Sequence, residues 1–255
     1  EQWQEFLKRD TLRVPEQVPT IEEAMRIGFN LAKQKIFSKE SPLMVVLGEG
    51  EHRVEESCPN GYGRMFANTM VTTCSNISFI GQGKDKTTIR GAFVVMEPNV
   101  MVKSLTFTNP NPHGYGLTVL GREASVEMMD VSVKGCGGFG LRVEHGASVK
   151  AIQCEFSEIG NYEVIMSGTR SKGIFTDCTF HHNGSDGVYA EWAGTLVDLR
   201  GEQTKIYHND DAGLHARVNA IINIYIPSQP ITALLQDTVH GRDLYTEDGG
   251  KIQSQ

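Results

Sequence analysis

The sequence predicts an all-β chain: a single-stranded, right-handed parallel β-helix solenoid closed at its N-terminal end by an α-helix. Three observations carry that prediction. An eight-residue apolar pattern returns about every two dozen residues, a glycine-led series returns with the same period, and one amphipathic segment precedes both.

The first pattern, Φ-x-Φ-x-x-Φ-x-Φ with Φ apolar, fits VMVKSLTF (100–107), VEMMDVSV (126–133), VKAIQCEF (149–156) and GIFTDCTF (173–180), with starts 26, 23 and 24 residues apart. Looser copies are TTCSNISF from Thr72 and LRGEQTKI from Leu199. The second series is GLTV at Gly116, GLRV at Gly140, EVIM at Glu163, GVYA at Gly187 and GLHA at Gly213, spaced by 24, 23, 24 and 26. Short alternating runs broken by glycine and polar residues are strand signatures. A unit this small cannot bury its apolar face alone, whereas coils stacked at roughly 4.8 Å share one core and pair their backbones. The leucine-rich-repeat pattern, which has a similar period, is absent. Stacking predicts two inward columns: Leu105, Val131, Cys154, Cys178 and Thr204, and Phe107, Val133, Phe156, Phe180 and Ile206. Cys74 is expected inward beside Val102 and Met128, as a buried structural thiol like Cys154 and Cys178; Cys58 and Cys136 are not assigned.

The helix is expected over about 20–37. Thr20 and Glu23 form a capping box, and Ile21, Ala24, Met25, Ile27, Leu31 and Ala32 make an apolar stripe at helical spacing. A strand, LMVVLGEGEHRV, follows. The domain organisation read from these signals is an N-terminal extension (1–19), the capped β-helix (20–226) and a C-terminal tail or cap of the same domain (227–255). In the extension, Trp3, Phe6 and Leu7 are apolar residues expected to cover a coil or contact another chain, so an oligomer is left open.

The chain has 255 residues, 39% of them hydrophobic, and a formal net charge of −7. Such an acid balance without a basic stripe excludes nucleic acid as a partner. No apolar run approaches the ~18 residues of a membrane span. The opening EQWQEFLKRD lacks the apolar stretch of a secretion signal. Five cysteines without CxxC spacing argue against zinc and for reduced thiols, so an intracellular, cytoplasmic location is expected, with no metal and no cofactor.

The segments TIEEA at Thr20, VVLGEGEHRV at Val45 and ISFIGQGKDKTTIRG (77–91) resemble the entry into pectin-lyase-like β-helix proteins. The last is similar to a turn-and-strand segment of pectin methylesterases. The repeats over 116–213 resemble the coils of polysaccharide lyases, mannuronan epimerases and some F-box proteins. The resemblance implies the fold and, by analogy, carbohydrate chemistry. Catalytic signatures of those enzymes are missing. The paired aspartates and arginine of pectin methylesterases have no counterpart, since QDT at Gln236 falls in the tail. The polygalacturonase motifs and the Asp-Pro-His of mannuronan epimerases are absent, and Asp210 and Asp211 read as a turn.

Alternation places two columns on the outer surface of the Gly-Leu-x-Val strands: Thr118, Arg142, Ile165, Tyr189 and His215, then Leu120, Glu144, Ser167, Glu191 and Arg217. Tyr189, His215 and Arg217 are the catalytic candidates; with Arg142, Glu144 and Glu191 they form the candidate binding set. Arginine would neutralise a uronate carboxylate, and tyrosine or histidine would exchange the proton beside it. The plain alternative is a solvated face with Glu191 paired to Arg217. His181, His182, Asn183, His208 and Asn209 read as a polar ladder at a turn. Ser104, Asp130, Gln153, Asp177 and Gln203 read as another, too interrupted for calcium. Two readings follow: a non-catalytic β-helix scaffold presenting a long face to a protein or polysaccharide partner, and a uronan lyase or C5-epimerase. The missing motifs and short turns favour the scaffold.

Overall fold

The computed structural model describes residues 10–59, 65–160, 164–226, 234–236 and 242–255. Trp3, Phe6, Leu7, Glu163 and Asp237 lie outside the described residues, as does the side chain of Cys58.

The chain winds as a parallel β-helix with three faces. The first face stacks Thr11–Val14 from the expected N-terminal extension, Leu43–Leu47, Ile77–Ile80, the leading halves of Val100–Thr108 and Ser125–Lys134, then Ser148–Ile152, Lys172–Thr176, Leu196–Arg200 and Ile221–Tyr225. The second takes Gly50–Arg53, Thr87–Arg90, the trailing halves of the two long strands, Glu155–Ser157, Thr179–His181 and Lys205–Tyr207. The third runs from Thr69–Thr72 through Ala92–Val95, Leu117–Leu120, Leu141–Glu144, Val164–Ser167 and Val188–Glu191 to Ala212–Arg217.

The long strands bend from first face to second at Ser104 and Asp130, both at φ 52°; Gln153 (53°) and Asp177 (54°) turn the same corner in later coils. Short polar side chains tolerate this left-handed conformation best, which is why a polar column occupies the corner. The glycines that open the third-face strands have a different cause. A Cβ on Gly187 would lie 2.7 Å from the Gly213 carbonyl oxygen and 2.8 Å from Ile206 Cγ2, so neighbouring coils leave no room for one.

Both predicted columns are in place: Leu105, Val131, Cys154 and Cys178, and Phe107, Val133, Phe156, Phe180 and Ile206, are fully buried. The Phe156 and Phe180 rings stack at 5.2 Å and 6°. Cys74, Cys136, Cys154 and Cys178 are free thiols. Burial pushes Cys136 up to about 12, and the contact with Cys154 together with burial pushes Cys178 up as well, so these thiols are packing groups. At the corner between second and third faces, Asn183 accepts from the Ile159 N–H (3.1 Å) and donates to Asn209 Oδ1 (2.9 Å), while Asn209 donates to the Phe180 carbonyl (3.3 Å). This buried amide ladder satisfies backbone groups that the turn would orphan.

Several boundaries differ from expectation. The early coil begins at Ile77, paired with Val100, and not at Thr72. Phe79 therefore fills the place beside Val102, and Cys74 is buried under the cap near Gly28. Leu199 pairs with Phe175, so LRGEQTKI is out of step at its start; Thr204 and Ile206 still reach their columns because extra residues are absorbed at the turn containing Gly201. LMVVLGEGEHRV breaks into Leu43–Leu47 and Gly50–Arg53, on different faces. The helix spans Ile21–Ala32, shorter than expected, because Ile36 points to solvent (95% exposed) and Phe37 has turned into the core. Thr20 accepts from the Glu23 N–H at 3.2 Å, but the Glu23 carboxylate turns to Arg26, so half of the capping box forms.

The segment expected as a tail or cap extends the ladder as well. Leu235–Gln236 pairs with Ile206 and Tyr207, Arg242–Thr246 with Ala212–Arg217, and Lys251–Ser254 with Ile221–Tyr225.

The Phe156–Phe180 stack gives a direct test. Phe180→Ala opens a cavity between two coils and is expected to cost about 3–5 kcal/mol in urea unfolding; a loss below about 1 kcal/mol would mean the column does not hold the coils together.

Candidate functional site

The outward third-face residues sit in the predicted register: Arg142 beside Thr118 and Ile165, Tyr189 beside Ile165 and His215, and Glu191 beside Arg217. They form two groups, with Ile165 between them. In the first, Arg142 holds Glu144 (2.8 Å), Ser167 Oγ donates to the same carboxylate oxygen (2.8 Å), and the guanidinium lies over the Phe139 ring at 5.4 Å. This group does not join the second, since its arginine is turned to its own glutamate.

The second group is deeper than alternation suggested. Tyr189 faces outward by register yet is only 7% exposed. His215 covers it edge-on at 4.9 Å, and Tyr245 meets the other side of His215 at 4.6 Å. Beneath them, Asp186 is 2% exposed and accepts from the Ala212 N–H (3.0 Å); its second oxygen lies 3.0 Å from His215 Nδ1. Arg217 Nε lies 3.0 Å from Glu247 and 3.6 Å from Glu191, and its NH2 lies 3.6 Å from Asp248. The guanidinium also reaches the Tyr189 hydroxyl. Burial, reinforced by Glu191, pushes the Tyr189 phenol up to about 12.

Sequence reasoning missed Asp186, Tyr245 and Glu247. Asp186 lies in a turn and meets His215 across 29 positions, so no local motif reveals it. Tyr245 was legible in principle, since DLYT repeats the alternation of GLHA with Tyr245 paired to His215. No group of three or more His, Cys, Asp or Glu side chains is placed to hold a metal ion among the described residues.

Across the corner, His181 stacks on Tyr207 (4.8 Å, 1°), with Nε2 at 3.1 Å from Glu155 and Nδ1 at 2.8 Å from His182, which in turn meets His208. His181 thus stacks on Tyr207 while the histidines meet one another edge-on, and the adjacent asparagines do the backbone capping. Asp177 caps the Gln203 N–H at 3.0 Å across this corner, where the later coil carries two extra residues.

Three parallel ladders around one core have a counterpart among known proteins: residues 60–226 match the family described as "Right handed beta helix region". The chain belongs to this family. No curated protein matches it. ORF18 of Geobacillus virus E2 is a structural relative at a TM-score of 0.55 and 13% identity, over 87% of this chain and 55% of its own. The A-modules of the Azotobacter vinelandii mannuronan C-5 epimerases AlgE4 and AlgE6 align at TM-scores of 0.44 and 0.37 with 11% and 12% identity, over 91% of this chain and 94% of theirs. At such identities the viral likeness shows the β-helix fold alone, and this chain spans 55% of that structure's length.

Two outcomes test the local chemistry of this β-helix. Asp186→Ala orphans the Ala212 N–H and the His215 ring nitrogen, and is expected to lower unfolding stability by about 2–3 kcal/mol; no loss would remove Asp186 as an anchor. For His181, burial holds the imidazole below its ordinary range against the pull of Glu155. The unfolded chain then takes a proton that the folded chain refuses. Stability from this site is full above the unfolded pKa, about 6.5, and falls as pH drops below it. Thermal melts should therefore decline between pH 7 and pH 5 more steeply in the wild type than in His181→Gln, and matching slopes would contradict the assignment.

Proposed function

We propose that the chain is a non-catalytic β-helix scaffold that presents a long face to a partner. The supporting observation is that Arg217 is ringed by carboxylates of its own chain, with Glu247, Glu191 and Asp248 all within 3.6 Å of its nitrogens in ion pairs, its buried Nε making no hydrogen bond. A uronan-processing site needs that cation free for the substrate carboxylate. Asp186, Glu191, Glu247 and Asp248 stand around the single arginine Arg217, an excess of acids that repels a polyuronate. Tyr189, pushed up to about 12, is poorly matched to general-base work near neutral pH. Arg142 is likewise committed to Glu144.

One observation favours the second reading, a uronan lyase or C5-epimerase. The buried Asp186 orients His215 as a carboxylate orients a catalytic imidazole. The two readings separate on a uronan panel of pectate, alginate and heparinoids. The scaffold reading expects neither new unsaturated ends nor solvent deuterium uptake from the wild type. Turnover that disappears in Tyr189→Phe and His215→Gln would replace it with the enzyme.

A further inference from the structure

The outer side of the first face carries an apolar groove that the third-face chemistry does not use. Met44, Ile80, Met101 and Ile174 line a cavity of about 470 Å³ along the leading edges of six successive strands, from Leu43–Leu47 to Lys172–Thr176. Met129 and Ile152 stand beside it in the next outward column. All six side chains are half-buried. Methionine-rich, partly exposed surfaces adapt to apolar ligands and are enriched at binding sites.

The same face shows the contrast. Past Ile174 its outward column continues as Asp198, Asn223 and Gln253. There Asn223 donates to Asp198 (2.9 Å), Gln253 donates to Asn223 (2.8 Å), and Arg200 holds the other Asp198 oxygen (2.7 Å). The polar half of the face is satisfied by its own hydrogen bonds, whereas the other half presents Met44, Ile80, Met101 and Ile174 around a single ion pair, Glu127 with Lys150.

Charge says what fits. Lys39 and Lys172 border the groove, while its one acidic lining residue, Glu127, pairs with Lys150 at 3.0 Å within the outward column between Met101 and Ile174. In a chain of net charge −7 this is a local excess of cations. Two copies related by a two-fold axis would bring lysine rim onto lysine rim. A flat bilayer does not enter a concavity, and the lining holds no aromatic side chain to reach one. Six strands at roughly 4.8 Å span about 24 Å, the length of an α-helix of about 16 residues.

We propose that this groove docks an acidic amphipathic helix of a partner protein, its apolar stripe on Met44, Ile80, Met101 and Ile174 and its carboxylates on Lys39 and Lys172. The proposal rests on the scaffold reading and names the partner class that reading leaves open.

The test uses the full chain and a labelled synthetic 16-residue helix with leucines at i, i+3, i+4 and i+7 and glutamates on both flanks, followed by fluorescence anisotropy. Saturable binding is expected, weakened at least about tenfold by Lys39→Glu with Lys172→Glu, and by Met101→Glu. It should also weaken as salt rises. Thermal melts of the variants confirm that each is folded; a variant that melts early is replaced by Ile174→Asp. Equal affinity for a lysine-flanked version of the helix, indifference to the variants, or binding only to phosphatidylserine vesicles would overturn the proposal. So would self-association of the chain that the same variants abolish. Uronan turnover by the wild type would sink the scaffold reading whatever the helix does, while silence on both assays sinks only the docking site.

Discussion

Everything in this molecule depends on the register between coils. A strand of four or five residues has no stability by itself, so each coil is held by hydrogen bonds and side-chain contacts to the coils above and below. Once Phe156 lies under Phe180, every other position of those coils is fixed too, because a slip of one residue would turn buried side chains outward. The corners obey the same demand. Asp130, Gln153 and Asp177 repeat a left-handed conformation at φ 52–54°, and Asn183 bonds Asn209 where the backbone would otherwise be unpaired.

That dependence explains what the sequence could and could not disclose. The four central repeats were legible because both inward columns are buried and non-charged on every coil, one of them ending in Phe156 and Phe180, and the third-face register followed from its glycines, which stand where a Cβ has no space. The ends were harder. At Thr72 a plausible pattern lies five residues ahead of the true coil, since Cys74 is also buried, but against the cap helix. The last coil has nothing stacked beyond it in the described chain, so its positions need not be apolar: Leu244 is 42% exposed, and Lys251–Ser254 carries one isoleucine among polar residues. A search keyed to apolar spacing passes over it.

The candidate site was legible as a set of residue types, and its depth was not. Tyr189, His215, Glu191 and Arg217 are neighbours because the ladder makes them so. What decides their chemistry comes from a turn, Asp186, and from the last coil, Tyr245, Glu247 and Asp248. Those groups convert an apparently open row into one that is roofed and internally paired.

The distinction applies to solenoids generally. Stacking coils brings unlike polar side chains into reach at every level, and the ladder has already fixed the backbone, so the ordering cost of each ion pair is small. Register alone therefore brings together clusters that resemble active sites on such faces. The informative quantity is what is left over after internal pairing. On the third face Arg142 and Arg217 both pair with carboxylates of their own chain, and what remains is the buried Arg142 Nε, His215 Nε2 and Arg217 Nε. On the first face the remainder is the larger one, hydrocarbon bordered by lysines on half of its length, and by the same reasoning that is where an outside partner has most to gain.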